Sequence, residues 1–98
     1  MVEKDLEVWV GRQVRKAGGL WLKWVSPGYV GVPDRILIAP GGLVAFVEMK
    51  QESGRLSRRQ HYVCGMLRAM GCRVYVIYNK EQALDMLKEV TANAFQAS

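Results

Sequence analysis

The stretch "GVPDRILIAPGGLVAFVEMKQ", residues 31–51, decides how this chain folds. Two apolar runs, 35–39 and 43–49, flank "PGG", whose glycines supply the backbone angles that a tight reversal needs, so the segment reads as a β-hairpin. Both faces of its strands are apolar, which predicts a central position in a sheet. Charge enters only at the open end, where Asp34 precedes the first strand and Glu48 and Lys50 close the second. If Pro40, Gly41 and Gly42 form the turn, Ala39 faces Leu43. Stepping outward then pairs Ile38 with Val44, Ile36 with Phe46 and Asp34 with Glu48, with Lys50 next on the same face. A two-residue turn would shift the pairing by one position and destroy this alignment.

Two carboxylates facing each other about 5 Å apart at the edge of a core repel, and they need a counter-ion to stay charged. Lys50 can supply it alone, in a half-buried salt-bridge network. Alternatively a hard divalent ion is held by the acidic oxygens and Lys50 is left free to act on a water molecule. The pairing geometry by itself leaves both readings open.

Working outward, "KDLEVWVGRQVRKA" at 4–17 places Leu6, Trp9, Val10, Val14 and Ala17 at helical spacing, with Gly18 as the residue that ends the helix. Glu7 flanks that apolar stripe, where it can point to the edge of the sheet or simply into solvent. "LWLKWV" at 20–25 reads as a strand and 26–33 as an irregular loop. Beyond the hairpin, the spacing of Tyr62, Val63, Met66, Leu67 and Met70 predicts a helix over 58–70, closed by Gly71. "SRRQ" at 57–60 is a capping box that opens this helix, and it gives Gln60 a local role. "RVYVIY" at 73–78 is a strand. A last helix is expected over about 80–90, capped by Asn79 with Gln82 completing a second capping box, and the tail from about residue 91 to 98 is expected to fray. The order is α-β-β-β-α-β-α. A strand that returns through a helix to another strand implies a parallel pair, and so a mixed four-stranded α/β sheet flanked by helices.

The 98 residues, half of them hydrophobic, fit one domain over 1–98. No apolar run is long enough to span a membrane, and "MVEKDLEV" has acids where a secretory leader would be basic and then apolar, so a cytoplasmic protein is expected. Cys64 and Cys72 form no CxxC pair and read as reduced, packed thiols. The net charge of +5 suits a polyanionic partner, and its placement says more than its size: Arg55, Arg58, Arg59 and Arg68 follow closely on Lys50. Trp9, Trp21 and Trp24 are placed for a core or a subunit interface more than for stacking on bases. His61, alone in the first turn of its helix, reads as a surface residue.

"GVPDR" at 31–35, "EMK" at 48–50 and "SGRLSRRQ" at 53–60 resemble the virus-type replication-repair nuclease family, VRR-Nuc, a branch of the PD-(D/E)XK superfamily. The segment at 6–28 is similar to that family's leading helix, its Gly-Gly break and its Lys-x-x-Ser-Pro-Gly run, so the likeness extends over residues 6–78. A lone PD followed by ExK arises often by chance; the ordered set on these elements is far more specific. The resemblance implies a restriction-endonuclease-like core in which Asp34 and Glu48 bind Mg²⁺ or Mn²⁺ together with the backbone carbonyl of Met49. Lys50 would work on the attacking water, and Glu7 and Gln60 would line the site, Glu7 being a candidate further ligand. Lys23, Arg35, Arg55, Arg58 and Arg59 are the candidates for holding nucleic acid. It further implies an endonuclease acting on branched DNA such as four-way junctions in DNA repair; the small size and the many tryptophans motivate a homodimer, and the cytoplasm of a bacterium or a phage-infected host and no small-molecule cofactor are expected. The rival from another class is a module that keeps the fold and binds nucleic acid without cutting it.

Overall fold

A computed structural model describes residues 2 to 96, with side chains described to residue 92. Helix α1 (Glu3–Lys16) buries Leu6, Val10 and Val14, carries Glu3 and Asp5 in its first turn and Arg15 and Lys16 in its last, and so complements its own dipole at both ends. Gly18, at φ 86°, ends it as expected: its N–H bonds to Arg15 O, and that of Gly19 to Val14 O. Strands β1 (Leu20–Lys23), β2 (Arg35–Ile38) and β3 (Val44–Met49) follow, then α2 (Arg58–Ala69), β4 (Arg73–Ile77) and α3 (Lys80–Gln96).

The sheet runs β1-β2-β3-β4, antiparallel over its first three strands and parallel between β3 and β4, which α2 connects. The hairpin strands are central, and their register is the one that a three-residue turn dictates: Ile38 pairs with Val44, Ile36 with Phe46 and Arg35 with Val47. Ala39 N–H bonds to Leu43 O across the turn, and Gly41 and Gly42 both adopt positive φ.

Strand alternation divides the molecule into two layers. One face carries Trp21, Leu37, Ala39, Ala45, Val47, Met49 and Ile77, which pack under Leu6, Val10 and Val14 of α1 and Ala83, Met86 and Val90 of α3. On the other face α2 covers the β3–β4 half through Val63 and Cys64. Trp24 and Phe46, whose ring centroids are 4.8 Å apart, lead from there to a β1–β2 half that remains open, with Leu20, Leu22 and Val44 exposed.

Two expectations at the C-terminal end need correction. Helix α3 does not end near residue 90; it continues to Gln96, because 91–96 contains no glycine or proline and the Thr91 hydroxyl bonds back to Leu87 O at 2.6 Å, inside the helix. Residues 97 and 98 of the tail expected to fray lie outside the described residues. The cap is also offset: Asn79 Oδ1 accepts from Gln82 N–H as expected, but the Gln82 side chain accepts from Tyr78 N–H, one residue before the cap.

Leu37 is fully buried between the sheet and both of the helices over it. Leu37→Ala should therefore destabilise the fold by about 2–5 kcal/mol in urea titrations, whereas His61→Ala, at an exposed position, should stay within about 0.5 kcal/mol of the parent.

Candidate active site

The register that pairs Arg35 with Val47 brings Asp34 opposite Glu48, and alternation puts both carboxylates on the α2 face, with Lys50 two residues further along. Asp34 is anchored twice by backbone. Its own carbonyl accepts from Trp24 N–H, and its Oδ2 accepts from Met49 N–H at 3.0 Å.

Glu48 is the buried charged residue of the site, 2% exposed, and every contact around it follows from that. Its Oε2 accepts from Gln60 Nε2 at 3.0 Å and lies 3.4 Å from Lys50 Nζ. The capping box decides how Gln60 is turned: Ser57 Oγ accepts from Gln60 N–H, and Gln60 Oε1 accepts from Ser57 N–H, so the amide must present its NH₂ to Glu48. One side chain thus starts α2 and holds the acid. The capping box and the contact to Glu48 are both made in a single rotamer.

The other oxygen, Glu48 Oε1, is buried with no hydrogen-bond partner among the described residues. A buried carboxylate oxygen with nothing to accept is costly. Burial first, and then the charge of Asp34, push the Glu48 carboxyl up to about 7, against the opposing pull of Lys50. Lys50 opposes this rise without cancelling it. An all-oxygen set centred on Asp34 and Glu48 suits a hard divalent cation, and the orphaned Oε1 is the atom such an ion would satisfy.

Glu7 is engaged by a different partner. It lines a cleft with Lys23, Asp34 and Arg35, but its Oε2 pairs with Arg35 Nη2 at 3.0 Å. Among the described residues no three acidic, histidine or cysteine side chains converge closely enough to hold a metal, so Glu7 does not complete a three-carboxylate cluster. The guanidinium of Arg35 is engaged within the protein, half-buried against Glu7 and 5.4 Å from the centre of the Trp21 ring. Alternation accounts for this. Arg35 is one residue out of phase with Asp34, so it shares the face of Leu37 and points under α1.

The remaining basic candidates divide in the same way. Lys23, Arg55 and Arg58 are exposed, Lys23 at the rim of the cleft. Arg59 donates from Nε to Val30 O and lies over two tyrosine rings, while Arg68 donates to Val74 O and fastens α2 to β4. The tyrosine contacts of Arg59 had no signal in linear spacing, because Tyr29 lies in an irregular loop thirty positions away. Cys64 is buried and Cys72 partly so, both free, and burial pushes the Cys64 thiol up, which fits packed thiols.

A raised pKa has a definite sign in stability. Glu48 ionises at about 7 in the folded chain and near 4.5 when exposed, so the folded state holds the proton more tightly. In the metal-free protein, stability should be greatest below about pH 4.5 as far as this group is concerned and should fall as pH rises to about 7, by about 3 kcal/mol in all. Glu48→Gln should flatten that slope in urea titrations run from pH 5 to 8 in the presence of a chelator.

No protein-family model matches the chain. It is 37% identical over 79 residues to "Putative nuclease p44" of Acyrthosiphon pisum secondary endosymbiont phage 1, a match that spans 81% of this chain and 85% of the relative. It also superimposes on a solved structure described as "VRR_NUC domain" with a TM-score of 0.82 and 26% identity, over 88% of this chain and 94% of the other. The element order, the mixed sheet and the flanking helices are those of that fold.

Proposed function

Because the chain belongs to the VRR-Nuc family of nucleases, we propose that it is a Mg²⁺- or Mn²⁺-dependent endonuclease that hydrolyses phosphodiester bonds in DNA, with branched DNA such as four-way junctions as its preferred substrate. The observation that carries this reading is the Glu48 carboxylate: buried, opposite Asp34, held on one oxygen by Gln60 and Lys50, and unpartnered on the other. Asp34, Glu48 and the Met49 carbonyl would hold the divalent ion, which when bound neutralises the phosphodiester and acidifies water.

The chain's own groups do the rest. Lys50 Nζ, 20% exposed beside Glu48, orients the attacking water and offsets charge that develops on the phosphate oxygens. Gln60 keeps Glu48 from turning away, and the Met49 N–H does the same for Asp34, so both acids are fixed before substrate arrives. Lys23, Arg55 and Arg58 contact the nucleic-acid backbone without reading bases. Glu7, locked to Arg35, shapes the wall of the cleft.

A homodimer is the assembly that supports cutting both strands of a branched substrate. The open β1–β2 half of the sheet favours it, since Leu20, Leu22 and Val44 are 52%, 42% and 45% exposed on one apolar face. Leu22→Asp should reduce a sedimentation species of twice the chain mass to one of 11.1 kDa; an 11.1 kDa species for the free parent at micromolar concentration together with one protomer per bound junction would rule the dimer out.

Incubation with labelled four-way, flap, duplex and single-stranded DNA tests the activity. Cleavage should require Mg²⁺ or Mn²⁺, disappear with a chelator, and fall at least about a hundredfold in Asp34→Ala and Lys50→Ala, while Mn²⁺ raises the melting temperature of the parent and not of Asp34→Ala. Undiminished cutting by the variants would mean a contaminant. Binding without cutting on every substrate would favour the non-cleaving module.

A further inference from the structure

We infer that Arg59 is a positioning residue, which clamps the loop between β1 and β2 onto α2 and thereby sets the spacing between Asp34 and the Glu48–Gln60 pair; the inference rests on the nuclease reading of that site. Three contacts converge on this side chain. Its Nε donates to Val30 O at 2.8 Å, and its guanidinium carbon lies 4.7 Å from the centre of the Tyr29 ring and 5.3 Å from that of Tyr62. Tyr29 and Val30 belong to the loop, and Tyr62 belongs to α2, so the cation joins the two elements through ring faces and a carbonyl.

The backbone of the loop has been brought as close to α2 as it can come. Gly31 adopts φ +97°, and a Cβ there would lie 2.7 Å from Arg59 Cγ and 3.1 Å from the Arg59 carbonyl carbon and oxygen. No other residue type fits this approach without displacing the helix backbone. Tyr29 OH reaches Met66 Sδ at 3.6 Å one turn further along. Past Gly31 the chain enters the fully buried Pro33 and then Asp34, while on the helix the residue after Arg59 is Gln60, which holds Glu48. The clamp therefore sits three residues from one acid on the loop side, and one residue from the partner of the other acid on the helix side.

Arg59→Lys separates this role from a phosphate contact, because lysine keeps the charge but loses the Nε donor and the planar face. Arg59→Lys and Gly31→Ala should each lower kcat at least about tenfold with KM for DNA within about twofold, and should weaken Mn²⁺ binding, read by the Mn²⁺-induced melting shift, by a similar factor. Hydrogen exchange of the 26–34 amides should quicken in both. Arg58→Ala, the comparison, should raise KM and reduce the salt slope of DNA binding by about one, with kcat and Mn²⁺ affinity unchanged. Activity and Mn²⁺ affinity in Arg59→Lys equal to the parent's, or an Arg59→Ala whose sole defect is a shallower salt slope, would overturn the clamp while leaving the nuclease reading intact. A parent that neither cuts nor binds Mn²⁺ would overturn both.

Discussion

A carboxylate taken out of water must be charged and compensated or neutral, and Glu48 is the point in this molecule where that choice is forced. Its position in β3 leaves it no route to solvent, so its surroundings must supply the compensation. The start of α2 supplies an amide, the residue just past β3 supplies the Lys50 ammonium, and Asp34, just before β2, brings a second negative charge that works against both. Lys50 and Gln60 both serve one oxygen of Glu48, and the other, Oε1, stays buried without a hydrogen-bond partner among the described residues.

The precision of this site derives from ordinary secondary structure. A three-residue turn sets the strand register, the register sets which residue opposes Glu48, and the pleat sets the face. The capping box that any helix start could use here also fixes the orientation of an amide, with no added residue. Each acid is restrained by a donor that the fold had to place anyway: Met49 N–H at the end of β3 and Gln60 at the start of α2.

These same features explain what the sequence discloses and what it withholds. The hairpin, its central position, the parallel return through α2, Gly18 and Gly71 at helix ends and the pairing of Asp34 with Glu48 all follow from local rules, because turn length and alternation act over a few residues. The ion pair of Arg35 follows from the same alternation, which sets it one residue out of phase with Asp34, on the α1 face and beside Glu7. The stack of Arg59 on Tyr29 and Tyr62 depends on how an irregular loop folds back on a helix, and no period in the sequence encodes that. The length of α3 escapes the periodic pattern for the opposite reason: its last residues lack an apolar stripe, yet they continue a helix already nucleated against the sheet.

The sheet also acts as a partition. The main packed layer projects toward α1 and α3, and Glu48 and the Gln60 amide meet on the α2 side, where Val63 and Cys64 add a smaller buried patch. Exposed positions around Glu48 and Gln60 can therefore change with little effect on the layer under α1 and α3, and that layer can be repacked with the sheet standing between it and the amide.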